Sequence, residues 1–292
     1  MKTTEKAYAK INLFLNVESK RSDGFHDIRT VMQEISLHDT LDFECTVSNK
    51  TEIELFSNSP SLRDTHDNLI TKAARRYLEQ IGRCARLKIT LDKQIPIAAG
   101  LAGGSADAAA TLRALNRLFG SCLTFAQLLS VAATLGSDVP FCLVGGTALC
   151  LGRGELISPI PFDKRLNILL AKSDEEVSTP RAYAALDAKY SDFKAENDEY
   201  IPYFDSLNAF LTGESDKIPV LYNIFESVVL DRCEKAREIK ENMLASGADA
   251  ALMSGSGPTV FGIFEDQAAL ERAKLALECR GVKTFVVTSN ES

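Results

Sequence analysis

The sequence predicts an α+β fold in two parts, on three observations. Residues 7 to 17 alternate in polarity as a strand does. A glycine-rich run, "PIAAGLAGGSA", opens straight into an amphipathic helix. From "LNILLAK" onward, strands and helices interleave in the manner of a ferredoxin-like domain.

In the first strand Ala7, Ala9, Ile11, Leu13, Leu15 and Val17 share one face, and Tyr8, Lys10, Asn12, Phe14 and Asn16 the other. Lys10 and Asn12 therefore project from the same side. After the turn "SKRSDGF", two further strands are expected in "IRTVMQEI" and "TLDFECTV". Asp67 is placed to cap a helix reaching about Ile81, and "ARLKITL" alternates as a strand leading into the glycine-rich run. The helix beyond that run carries Ala109, Leu112, Leu115 and Phe119 at helical spacing, with Ser105 as the expected N-cap and Asp107 in the first turn. "FAQLLSVAATLG" reads as another helix, and "SDVPFCLVGGTALCLGRG" as a connection and a strand. The first domain is expected to span 1–155 and the second 156–292. In the second, 174–230 is polar and helical in pieces and 231–246 is a charged helix. "ADAALM", the loop "SGSGP", "TVFGIF", a helix from Gln267 to Cys279 and "KTFVVT" complete it.

Composition narrows the function. The 292 residues carry a formal net charge of -7, which argues against a nucleic-acid surface as the main business of the chain. No signal-like N-terminal segment and no run of 18 uncharged apolar residues are found, so a cytoplasmic protein without a membrane partner is expected. The seven cysteines form no C-x-x-C pair and the three histidines do not cluster, which favours buried reduced thiols over a zinc site.

The glycine-rich run has two readings. Glycines supply the backbone angles of a tight turn, and small residues also let backbone N–H groups converge on an anion at a helix N-terminus. It lacks the G-K-[ST] ending of a Walker A loop, and the spacing of Gly100, Gly103 and Gly104 is not that of a dinucleotide fingerprint. A phosphate-directed lysine and a base would then come from elsewhere, with Lys10 and Asp138 as candidates. Each has a plainer reading: a solvated strand lysine, and a turn residue in "LGSDVPF".

Four segments together, "AKINLFLNVESKRSDGFHDIRTVM", "IPIAAGLAGGSADAAATLRALN", "LGSDVPF" followed by "GGTALCLGRGE", and "ALMSGSGPTVFGIF", resemble the superfamily of galactokinase, homoserine, mevalonate and phosphomevalonate kinases. The motifs K-R-x-D-G-[FY]-H and GLAGGSxDAA are similar to its branch acting on a cytidine-diphosphate-linked polyol of non-mevalonate isoprenoid synthesis. The resemblance implies a two-domain small-molecule kinase fold, with an N-terminal ribosomal-protein-S5-like nucleotide domain and a C-terminal ferredoxin-like domain. It implies ATP as co-substrate, magnesium, and phosphorylation of the polyol's 2-hydroxyl. By the same resemblance Lys10 and Asp138 are the catalytic pair. Asn12, Phe25, His26, Thr179 and Tyr183 bind substrate, with His26 reading the cytosine. Asn68 lies near the adenosine, and Pro96, Ile97, Ala98, Ala99, Gly100, Leu101, Ala102, Gly103, Gly104, Ser105 and Ala106 form the ATP loop. The metal ligands stay open between Asp107 and Asp138.

Three departures accompany the match. Phe25 replaces the usual Tyr, which keeps an aromatic face and loses a hydroxyl. Ala106 replaces a Ser, so that backbone donors remain while one hydroxyl is gone. Asp174, Glu175 and Glu176 form an acidic run ahead of Thr179 that would repel a diphosphate if it faced one. Two alternatives stay open: another kinase of the superfamily, acting on mevalonate, homoserine or a sugar, and a non-catalytic cytidine- or nucleotide-binding paralogue.

Overall fold

A computed structural model describes residues 1–62, 68–190, 193 and 198–290. The chain divides into two compact units. The first comprises Met1–Ala9, Leu37–Ile97 and Ala102–Val144, and the second Lys10–Ser36, Ala98–Leu101 and Gly145–Ser292. Strands β1 (Lys2–Lys20) and β2 (His26–Val47) contribute residues to both.

In the first unit β2 pairs antiparallel with β4 (Ala85–Asp92), from Thr40↔Asp92 to Val47↔Ala85, and β3 (Glu52–Ser57) runs parallel to β4 on its other side. Every second residue of β4 is buried, which puts Ala85, Leu87, Ile89 and Leu91 in the core. The helices are α1 (Leu69–Gln80), α2 (Gly103–Leu118), α3 (Phe125–Leu135) and α4 (Val139–Val144). Ala108, Ala109, Ala110, Leu112, Ala114 and Leu115 of α2 are all fully buried, because alanines let neighbouring helices approach closely.

In the second unit β5 (Thr147–Leu151) pairs with β2 at Thr30↔Cys150 and with β6 (Leu156–Ile160). After β7 (Asn167–Lys172) come α5 (Thr179–Lys189), α6 (Ile201–Leu211), β8 (Tyr222–Asn223), α7 (Glu226–Val229), α8 (Glu234–Ala245), β9 (Ala250–Met253), β10 (Thr259–Phe264), α9 (Gln267–Glu278) and β11 (Lys283–Thr288). Strand β8 lies parallel to β1, with Leu15 opposite Asn223. The order β11-β7-β10-β9, all antiparallel, is the ferredoxin-like arrangement expected of this region. Its core joins Leu169, Val260 and Phe264 to Ile239 and Met243 of α8 and Leu270 and Ala273 of α9. No helix among the described residues is long and apolar enough to cross a membrane.

Several local expectations are corrected. The two strands after the turn are one strand, β2, because the polar stretch between them contains Asp39, whose buried carboxylate accepts the Gln94 and Ile95 N–H groups at 2.5 and 2.8 Å. Asp67 lies outside the described residues, and Asn68 caps α1 by accepting the Ile70 N–H at 2.9 Å. Ser105 is not the cap of α2. The helix begins at Gly103 and is entered from Ala102 in the left-handed conformation, φ 55°, without a side-chain cap, which puts Asp107 beyond the first turn. Residues 139–144, read as a connection, form α4. The charged helix starts at Glu234 rather than 231.

Candidate active site

In the second unit Lys10 is almost wholly buried, at 4% exposure, so its ammonium needs polar partners. It donates to Asn12 Oδ1 at 2.7 Å and to the Gly100 carbonyl at 3.1 Å. Asn12 donates on to Thr30 Oγ1 at 2.8 Å, and that hydroxyl donates to the Phe14 carbonyl at 2.6 Å. The same-face placement of Lys10 and Asn12 thus becomes a hydrogen-bonded relay in which the amide's orientation is fixed by both ends. Gly100, at φ 75°, tolerates no side chain: a Cβ there would stand 2.2 Å from the Ser254 carbonyl oxygen. Its own carbonyl accepts a further bond from Ser254 Oγ at 3.0 Å. Asn223 braces the start of the "SGSGP" loop, donating to the carbonyls of Met253 and Gly255 at 2.7 and 2.8 Å.

A second cluster in this unit surrounds His26. Arg21 ties the preceding turn together, through ion pairs to Asp23 and Asp27 at 2.9 Å each, and Gly24 at φ 85° makes the reversal. Phe25 is left 51% exposed, with the Arg153 guanidinium 5.0 Å from its ring centre. His26 is buried, stacks on Tyr183 with ring centres 4.6 Å apart, and meets Phe193 edge-on at 5.9 Å. Its Nε2 is 2.7 Å from Asp187 Oδ1, and Lys20 reaches the other carboxylate oxygen at 2.6 Å. Burial works to raise the Asp187 pKa, but the bonds from Lys20 and His26 outweigh it and hold the carboxyl below its usual range. An ionised Asp187 accepts only, so Nε2 carries the proton and, in the neutral ring, Nδ1 is the acceptor. Thr179 Oγ1 and Ser256 Oγ share a hydrogen bond at 2.8 Å.

The acidic run ahead of Thr179 is accounted for by α8. Asp174 pairs with Lys235 at 2.7 Å, and Glu175 accepts the N–H groups of Lys235 and Ala236 at 3.4 and 3.2 Å, capping the helix from a distance. Glu176 is exposed.

The first unit holds Asn68, Pro96, Ile97, Ala102 to Ala106 and Asp138 of the expected residues. Asn68 commits Oδ1 to the α1 cap. Pro96 and Ile97 precede the segment Ala98–Leu101, which belongs to the second unit, where Ala98 also has a left-handed φ of 52°. Ala102 leads into Gly103, Gly104, Ser105 and Ala106 at the start of α2. Asp138 immediately precedes α4 and accepts the Cys142 N–H on its carbonyl at 3.0 Å. Asp107 is 2% exposed and bonded to Lys93 at 2.9 Å, and Lys93 also pairs with Asp39. Burial, reinforced by Asp39 and opposed by Lys93, pushes Asp107 from 3.8 up to about 7.

Two family models match the chain, the GHMP kinases N terminal domain over residues 68–146 and the GHMP kinases C terminal domain over 206–283. A 4-diphosphocytidyl-2-C-methyl-D-erythritol kinase of Acaryochloris marina is 43% identical over 277 residues, 92% of this chain and 89% of the relative. The chain belongs to that kinase family. A member from Brevibacillus brevis is 40% identical over 98% of this chain and 96% of its own length. The crystal structure of a 4-(cytidine 5'-diphospho)-2C-methyl-D-erythritol kinase superposes with a TM-score of 0.78 at 31% identity, covering 99% of this chain and all of the other. The two matched domains take in Asn68, the glycine-rich run and Asp138, whereas Lys10, Asn12, Phe25, His26, Thr179 and Tyr183 fall outside them and within the span of the full-length family relatives.

Sequence reasoning missed Asp187, Asn223, Ser254, Ser256 and the Lys93 cluster. A signal existed for the first: Thr179, Tyr183 and Asp187 stand four residues apart, which aligns them on one face of α5. Nothing local marks Asn223 or Ser254, whose partners are backbone carbonyls distant in sequence.

Proposed function

We propose that this chain transfers the γ-phosphoryl group of ATP to the 2-hydroxyl of 4-diphosphocytidyl-2-C-methyl-D-erythritol, in the non-mevalonate route to isoprenoid precursors. The observation that carries this reading is the His26 cluster. A buried imidazole with its proton held on Nε2 offers Nδ1 to the exocyclic amine of a cytosine, and the aromatic side chains beside it suit a planar base, for which mevalonate, homoserine and a sugar have no counterpart. Phe25 supplies an exposed aromatic face for the base, and Tyr183 backs the imidazole. Thr179, with Ser256, lines the substrate side.

Lys10 neutralises charge developing on the transferred phosphoryl group, with Asn12 holding its ammonium in place. Asp138 orients the 2-hydroxyl and takes its proton. Asn68 and residues 96–106 hold the nucleotide, the α2 N-terminus presenting backbone N–H groups to phosphate. Most of the rate enhancement then comes from positioning and charge stabilisation, as phosphoryl transfer requires.

Magnesium belongs to the same proposal. Among the described residues no group of three or more His, Cys, Asp or Glu side chains could hold a metal ion, which fits an ion that keeps water and nucleotide oxygens as most of its ligands. Asp107 is buried at 2% exposure with Lys93 on Oδ2, and the half-buried Asp138 is the more accessible carboxylate to contribute. When bound, the ion would spread the phosphate charge.

ADP release with ATP, magnesium and the cytidine substrate, beside mevalonate and homoserine, tests this reading. Turnover that depends on the cytidine substrate is the expected result. Turnover with a control alone would discard the cytosine pocket, and silence with all three would favour a binding protein without catalysis.

A further inference from the structure

We infer that Lys93, held between Asp39 and Asp107, is a positioning residue for the nucleotide: it fixes the segment Lys93 to Ile95 against the first turns of α2 and so sets where the N–H groups of Gly103, Gly104 and Ser105 stand. The inference rests on reading those residues as part of the ATP site.

Four features of the first unit carry it. The side chains of Lys93, Asp39 and Asp107 are 6%, 0% and 3% exposed, so the cluster is withdrawn from solvent and acts on its surroundings through protein contacts alone. Asp39 holds Lys93 with one carboxylate oxygen and the N–H groups of Gln94 and Ile95 with the other, which locks three consecutive residues of chain. Asp107, from inside α2, holds the same ammonium at 2.9 Å. The ammonium also packs on the first helical residue: a Cβ added at Gly103 would stand 2.9 Å from Lys93 Nζ and 2.9 Å from Ile95 Cγ2.

Stability alone is a poor account of this arrangement. Two carboxylates share one ammonium out of water, and Asp107 Oδ1 has no hydrogen-bond partner although it is buried. Apolar residues of similar volume often serve a core at least as well as buried ions, and what these ions do that apolar residues would not is join three pieces of chain through one ammonium. The direction of the two ends is the useful product: one carboxylate belongs to strand β2, the other to the helix whose N-terminus faces the ligand, and the lysine spans them.

The experiment is steady-state kinetics of the full chain with both substrates varied, on two variants chosen to leave no uncompensated buried charge. Asp39→Ala leaves a one-to-one Lys93–Asp107 pair and frees the Gln94 and Ile95 N–H groups. Lys93→Met combined with Asp39→Asn and Asp107→Asn neutralises the cluster with its shape kept. Each is expected to raise KM for ATP about tenfold, the equivalent of about 1.4 kcal/mol, with KM for the cytidine substrate changed less than about twofold. If one variant fails to fold, the other decides. A lowered melting temperature with KM for ATP unmoved, or both KM values rising together, overturns the inference and leaves a structural ion cluster. Absence of ATP turnover in the unaltered protein overturns the ATP reading, and this inference with it.

Discussion

Asp187 Oδ1 stands 2.7 Å from His26 Nε2 across 161 residues of chain, on an imidazole whose face is covered by Tyr183. The pair fixes the histidine's tautomer, and the consequence is testable. Asp187→Ala should raise KM for the cytidine substrate about tenfold while KM for ATP stays within about twofold, because one charge-assisted hydrogen bond is removed from the residue proposed to read the base and from no residue of the proposed ATP site. Asp187→Asn, which can still accept from Nε2, should lose about threefold or less. Equal losses in the two variants would show that charge rather than tautomer matters.

Asp187 also carries an acid-side signature. Its folded pKa lies below the ordinary carboxylate value, so the folded state binds its proton less readily than the unfolded one. The stabilisation it gives is present above the unfolded pKa and disappears as pH falls through the folded one. In acid titrations from pH 6 to pH 2, followed by circular dichroism, Asp187→Ala should unfold with less dependence on pH than the parent.

Asp107 has the opposite sign. Its pKa is raised to about 7, so between about pH 4 and pH 7 the folded state holds a proton that the unfolded state has released, and stability falls as pH rises across that window. Asp107→Asn imitates the protonated form permanently. The melting temperature of the variant relative to the parent should therefore climb between pH 5 and pH 8, and a difference independent of pH would refute the assignment.

Asp138→Asn should lower kcat by about a hundredfold or more with KM for ATP almost unchanged, the range expected when a general base is removed. Unchanged kcat, measured by ADP release, would take Asp138 out of the mechanism.

Gly100→Ala should destabilise the protein by roughly 2 kcal/mol or more, since it combines a left-handed φ with a Cβ inside the contact distance of the Ser254 carbonyl. Gly104→Ala should be tolerated in a melting experiment, because the nearest atom to its added Cβ is Leu69 Cδ1 at an ordinary 3.6 Å.

Much of the fold was legible because its signals are periodic. The alternation in β4, the helical spacing in α2 and α3, and the final strand-helix series translate directly into faces that pack, whereas β1 is buried on both faces from Ala9 to Val17. What failed was local polar chemistry. The stretch that contains Asp39 looks like a break in a strand, and only the lysine and amides that meet it, from 54 residues and more further on, explain its burial. Ser105 looks like a cap, yet α2 begins two residues earlier from a left-handed alanine, which no propensity favours. Of the candidate site, Lys10 and Asn12 were readable from period two. The pairings of His26 with Asp187 and of Gly100 with Ser254 are tertiary: the spacing of four on α5 puts Asp187 on the face of Thr179 and Tyr183, whereas nothing around Gly100 or Ser254 points to the other.

The Gly100 carbonyl receives bonds from Lys10 and from Ser254, which are 244 residues apart in the chain. Its acceptor strength is a property of the peptide group, and exchange of side chains at position 100 reports crowding alone. Conventional mutagenesis would thus score this position as steric and stay blind to its electronic contribution. Replacing the Gly100–Leu101 amide by an ester, whose carbonyl is a weaker acceptor, would loosen the lysine without adding an atom near Ser254, and semisynthesis becomes the natural tool for dissecting this part of the protein.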